Sequence, residues 1–179
     1  MRFTYAPIVD QHARDDVFEH MEAEGLTASA MSSLLKPTLA QWQTITAPER
    51  GVLLGCYGPP PGAASVCASK PAPLLACAMF SPRRGRVWEF DFTTFRQWAR
   101  LAVPMAHGGL SWAFANLDCS AVMGLCPAPN RHAWRLAEAC GFRVLGRLPG
   151  ACLHTRKKTW VDGVLVLCTA QDVSVTIRQ

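Results

Sequence analysis

The chain has 179 residues, 50% hydrophobic and 17% charged, with a formal net charge of +5. That length and apolar content suit one domain with a sizeable core, and they exclude a disordered chain, which needs low hydrophobicity and high net charge. No apolar run approaches the roughly 18 residues that span a bilayer, and Met1–Asp16 has no apolar segment behind a basic start, so a soluble, cytoplasmic protein without a secretory leader is expected.

Phe3–Val9 alternates weakly and is predicted as an edge strand, the one sheet position that tolerates Pro7. Asp10–Glu24 reads as a helix capped by Asp10 and stopped by Gly25. Shorter helices are predicted over Thr27–Leu35 and Thr38–Thr46, separated by Lys36-Pro37. Residues 1–50 thus make a helical N-terminal part, and residues 51–170 the sheet-and-helix core of the same single domain. Strands are predicted over Gly51–Tyr57, Leu74–Phe80, Arg86–Thr93 and Ala121–Cys126. The proline-rich stretch Gly58–Pro73 reads as a long hairpin loop, and Ser81–Gly85 as a turn. Phe95–Leu117 is helical in composition but interrupted at Pro104 and Gly108-Gly109.

The clearest unit is Arg131–Cys140. Ala133, Leu136, Ala137 and Cys140 recur at i, i+3, i+4 and i+7, one buried helical stripe. Asn130 can cap this helix, and Gly141 sits where a left-handed residue ends it. Strands over Phe142–Leu148 and Gly163–Thr169 follow, joined by a basic connection. The order is that of an α/β protein built on one mixed sheet.

Eight cysteines contain no C-x-x-C pair and no histidine at zinc-finger spacing, so they read as small hydrophobes of a reduced protein, not as a metal site or a disulfide framework. Charge is uneven. Met1–Glu24 sets two arginines against six acids, while Arg131–Lys158 sets seven basic residues against Glu138 alone. The cationic half suits nucleic acid, an acidic protein or a phosphorylated cofactor, or is a solvated face. Along Arg86–Thr93, Trp88, Phe90 and Phe92 share one face and Val87, Glu89 and Asp91 the other. Two carboxylates roughly 7 Å apart can hold an ammonium, and one whose pKa is raised by burial can take its proton. They can equally be ordinary solvated acids.

The run Asn130-Arg131-His132-Ala133-Trp134-Arg135-Leu136, continuing to Gly141-Phe142-Arg143, resembles the N-x-x-A-x-x-L…G-F block of the GNAT superfamily of acyl-CoA N-acyltransferases. Gly146 and Trp160–Leu165 are similar to that family's closing strand. The resemblance spans residues 50–170 and implies a GNAT-like α/β fold, a mostly antiparallel central sheet with helices on both faces. It implies acetyl-CoA as acyl donor, an amine as acceptor, no membrane, and a homodimer as one option. The pantetheine arm would lie between two diverging strands, Arg86–Thr93 and Ala121–Cys126, against Leu125, Cys126 and Asn130, with Asn130 also readable as a simple N-cap. Glu89 or Asp91 would supply the catalytic base.

Two departures stand out. The family's pyrophosphate loop is of the form R/Q-x-x-G-x-G/A, and Arg96-Gln97-Trp98-Ala99-Arg100-Leu101 keeps the arginine without either glycine. Arg96 and Arg100 can act as side-chain phosphate ligands instead, or be exposed cations; His107-Gly108-Gly109 is an alternative phosphate turn. The tyrosine that many members use as proton donor is matched by Ala137, and the only tyrosines are Tyr5 and Tyr57. Three readings follow: an N-acetyltransferase, a GNAT-fold binding or assembly protein of bacterial or phage origin without catalysis, and, weakest, a nucleic-acid binder.

Overall fold

A computed structural model describes residues 2–59, 72–154 and 157–176. Its layers follow from the strand β3 (Leu74–Arg84), whose run Leu75–Phe80 is buried on both faces. Ala78 and Phe80 point to one side, where they pack with Leu54, Leu110, Ala113 and Val166. Cys77 and Met79 point to the other, against Val17, Phe18, Met21 and Trp42. Period-two alternation in a fully apolar strand therefore demands helices on both faces.

Seven strands form the sheet: β1 (Thr4–Pro7), β2 (Val52–Tyr57), β3, β4 (Val87–Thr94), β5 (Ala121–Pro127), β6 (Arg143–His154) and β7 (Thr159–Cys168). Their spatial order is β1-β2-β3-β4-β5-β7-β6, antiparallel throughout except for the parallel β4–β5 pair. β1 lies at the edge, where Pro7 costs no ladder bond to a further strand. Helices α1 (Gln11–Ala23), α2 (Thr27–Ala30) and α3 (Leu39–Ile45) cover one face; α4 (Ala102–Asn116), α5 (Arg131–Ala139) and α6 (Ala170–Thr176) belong to the other side and the C-terminus. Among the described residues no helix is long and apolar enough to cross a membrane.

Local signals behave as their chemistry requires. The Asp10 carboxylate accepts the Ala13 N–H at 2.9 Å and caps α1. Thr38 and Gln41 form a capping box at the start of α3. Arg14 is buried, donating to the carbonyls of Thr46 and Val9, while Trp42 Nε1 donates to the Arg14 carbonyl, so α1 and α3 are locked together. Gly141 ends α5 at φ 96°, a left-handed position that glycine occupies without strain.

Several expected boundaries differ. The helix predicted over Thr27–Leu35 stops at Ala30. The turn predicted over Ser81–Gly85 is strand up to Arg84, because a register shift between Pro82 and Arg84 absorbs the proline. The expected break at Pro104 and Gly108-Gly109 is absent: α4 runs through them after a 3-10 turn at Arg96–Leu101. Pro104 falls in the first turn, where its missing N–H is unneeded. Gly108 is there for Tyr5, whose hydroxyl oxygen would lie 2.1 Å from an added Cβ. The basic connection before Gly163 is instead a long β6–β7 hairpin. The interior of the proline-rich loop, residues 60–71 with Cys67, lies outside the described residues.

Candidate active site

β4 and β5 pair only at their starts, Val87 with Ala121, Trp88 with Val122 and Glu89 with Met123. Beyond that point β4 stays paired to β3 and β5 to β7, but not to each other. The inner backbone edges of Phe90–Thr94 and Gly124–Pro127 therefore have no strand partner, an arrangement that buried amides do not tolerate without another acceptor or donor. Phe90 and Phe92 stack at 5.9 Å, and Phe90 stacks on Phe142 at the same distance, which seats bulky rings at the split.

A cavity of about 480 Å³ occupies this opening. On the α4–α5 side it is walled by Phe90, Phe92, Ala133, Ala137, Cys140 and Phe142. On the α1–α2 side it reaches Gly25, Ala28, Ser29 and Ser32, with Leu153 and His154 arriving from the end of β6. The opening thus runs from one face of the sheet towards the other.

The structure brings Asp91, Leu125, Cys126 and Asn130 to this one cavity. Glu89, two residues from Asp91 on the same strand face, is instead paired with Arg83. Asp91 is exposed on the cavity wall, and desolvation by the surrounding wall atoms pushes its carboxyl up from the ordinary carboxylate range, opposed in part by the Arg83 guanidinium. Cys126 is pushed up to about 11 by desolvation, with the charges of Asp91 and Cys152 adding. The Asn130 side chain accepts the Ala133 N–H at 3.4 Å as N-cap of α5 while lining the cavity. Arg96 does not line the cavity: Glu24 holds its backbone N–H and its Nε, with its guanidinium tip beside Gly25, and Arg100 is exposed on the 3-10 turn before α4.

Neither tyrosine lines the cavity; Tyr5 donates to the Met105 carbonyl at 3.0 Å across α4. His107-Gly108-Gly109 is ordinary helix, with His107 Nε2 hydrogen-bonded to the Val173 carbonyl at 3.0 Å. Ser29, Ser32 and His154 were not singled out from sequence. His154 Nδ1 accepts the Lys157 N–H at 3.3 Å, which leaves the proton of the neutral ring on Nε2. A separate cleft of about 430 Å³ behind the β5–α5 connection gathers Arg131, Arg135 and Arg147 around Trp134, with Arg135 5.8 Å over the indole. Part of the C-terminal positive charge collects there.

Solved structures share this fold. A spermidine N-acetyltransferase from Vibrio cholerae, in complex with CoA and spermine, aligns with a TM-score of 0.71 at 13% identity over 96% of this chain and 98% of that one. The chain has the GNAT fold. A candidate acetyltransferase from Acinetobacter baylyi ADP1 aligns with a TM-score of 0.68 at 14% identity, over 95% of this chain and 93% of that one. A candidate phosphinothricin N-acetyltransferase gives 0.65 at 14% identity, over 94% and 98%. No protein-family model and no curated protein matches the sequence. The GNAT fold is thus carried here by backbone path and by the divergence of β4 from β5, with little of the sequence shared.

Proposed function

We propose that this chain is an N-acyltransferase that moves an acetyl group from acetyl-CoA to an amine. The observation that carries the reading is the split between β4 and β5 with a single carboxylate, Asp91, on the wall of its cavity. The residues suit a pantetheine arm: inner strand edges lacking partners offer N–H and C=O groups to its amides, Asn130 stands at the start of α5, and Leu125 and Cys126 wall the slot. Arg100 serves the pyrophosphate, since an exposed guanidinium on the turn that follows β4 favours an anion. The solved spermidine N-acetyltransferase, named as a complex with CoA and spermine, supports a CoA-type donor and an amine acceptor.

Bound acetyl-CoA supplies an activated thioester carbonyl. Asp91 attracts the acceptor ammonium and takes one proton from it, a transfer that its raised pKa makes less uphill. The freed nitrogen lone pair forms the C–N bond, the C–S bond breaks with its electrons on sulfur, and the proton lost by the new amide neutralises the thiolate. Ala137 offers no phenol for that last step, so the proton travels through solvent in the open cavity.

Calorimetry with acetyl-CoA and with CoA, followed by thiol release over an amine panel, tests the reading. Micromolar cofactor binding and amine-dependent thiol release are expected. Cofactor binding without release from any amine would leave a GNAT-fold binding protein, and no binding of either CoA species would remove the transferase assignment.

A further inference from the structure

We propose that the acceptor is a compact monoamine and that the cavity discriminates against polyamines; this rests on the transferase reading and specifies its acceptor. An ammonium removed from water needs a counter-charge or a full set of acceptors, and a second ammonium on the same molecule needs a second one. The chain has 13 acidic residues, and Asp91 alone among them lines the cavity. Of the acids next in sequence to cavity-lining residues, Glu89 pairs with Arg83, the Glu24 carboxylate accepts the Arg96 backbone N–H and lies 3.6 Å from His20 Nε2, and neither these two nor Glu138 lines the cavity. The stretches outside the described residues cannot add an acidic side chain, because 60–71, 155–156 and 177–179 contain no Asp or Glu and instead carry Lys70, Arg156 and Arg178.

The remaining surroundings point the same way. Arg83, the cation that opposes the upward shift of Asp91, is itself paired with Glu89, so that pair offers a second ammonium no unmatched negative charge. Ala28, Leu125 and Leu153 offer apolar wall, which gives a second ammonium no counter-charge. The cavity of about 480 Å³ must take the thioester end as well as the acceptor.

The test is amine binding to the full chain loaded with CoA, measured by calorimetry alongside acetyl transfer. The panel is spermidine, spermine, phenethylamine, tyramine, an amino sugar and a tripeptide with a free α-amine. At least one small monoamine is expected to bind about tenfold or more tighter than spermidine, and Asp91→Asn should abolish that preference without changing CoA affinity. Ser32→Asp supplies a second carboxylate and is expected to raise spermidine affinity about tenfold. Spermidine binding the native chain as well as the best monoamine, or the tripeptide outbinding every small amine, would overturn the acceptor class while leaving cofactor binding and thiol release intact. Loss of CoA binding or of all acetyl transfer bears on the transferase reading instead, since the ranking of amines is read from binding.

Discussion

Glu24 Oε2 accepts the backbone N–H of Arg96 at 2.7 Å, and the Glu24 carbonyl accepts Arg96 Nε at 2.8 Å. The residue that resembles the first position of a pyrophosphate loop is therefore the clasp between the end of α1 and the exit of β4. Arg96→Ala is expected to cost about 1 kcal/mol, near the usual net worth of such hydrogen bonds, and to leave the KM for acetyl-CoA within about twofold, an effect too small to signal a lost phosphate contact. Arg100→Ala should do the reverse, raising that KM several-fold at unchanged Tm. Thermal melts and steady-state kinetics on the two variants decide it; a raised KM with native Tm in Arg96→Ala would return the phosphate role to Arg96.

Asp91 gives a prediction with a defined sign. As the proton acceptor it must be ionised, so kcat/KM for the amine falls as pH drops through its raised pKa, earlier than for an ordinary carboxylate. Arg83 counteracts part of that rise, and the Cys126 thiol, pushed up to about 11, stays protonated over this range, with His154 also on the cavity wall. Asp91→Asn is expected to lower kcat/KM by about 100- to 10,000-fold and to remove the acid limb. Stability moves oppositely. A carboxyl whose folded pKa lies above its unfolded value favours folding most below the unfolded value and loses that contribution as pH rises through the folded one. Asp91→Asn should therefore hold or raise Tm at neutral pH; a lower Tm would mean that the charge is structural.

Much of the fold was legible because its signals are local. Asp10, Thr38, Asn130 and Gly141 cap or stop helices where short-range hydrogen bonding says they should, and the apolar run Leu74–Phe80 is strand as read, though its burial on both faces came only with the structure. Failures came where tertiary partners decide. Gly108 looked like a helix break, but its missing side chain admits Tyr5, about a hundred residues away in sequence. The β6–β7 hairpin hid behind basic and proline residues that suit an exposed edge. The helix α6 was announced by Thr169-Ala170-Gln171-Asp172, a capping pattern in which Asp172 accepts the Thr169 N–H at 2.8 Å, and it went unread. At the site, alternation put Glu89 and Asp91 on one face but could not show that Arg83 takes only the first. Ser29, Ser32 and His154 reach the cavity from elements far apart in sequence, and no spacing rule links them.

Cys126 tests whether transfer is direct. A thiol pushed up to about 11 is almost wholly protonated at neutral pH and is a poor nucleophile, despite its place on the cavity wall. Cys126→Ala should keep kcat within about fivefold, since losing a covalent nucleophile would cost far more. Mass spectrometry after incubation with acetyl-CoA alone should find Cys126 unacetylated. Stoichiometric acetylation there, together with a collapse of kcat in the variant, would replace direct attack by an acyl-enzyme.

Gly108→Ala sets two rules against each other. Alanine inside a helix is better than glycine by about 1 kcal/mol, and on propensity alone the substitution should stabilise α4. The added Cβ would fall 2.1 Å from the Tyr5 hydroxyl oxygen, however, so the ring must leave and give up its 3.0 Å hydrogen bond to the Met105 carbonyl. Displacing a packed ring costs about 1–3 kcal/mol, which makes the expected net effect a loss of stability. Tyr5→Ala removes the obstacle. In that background Gly108→Ala should become neutral or stabilising, and the difference between the two backgrounds, read from denaturant unfolding, is the coupling of β1 to α4. Equal effects in both backgrounds would mean that the tyrosine does not rest on this helix.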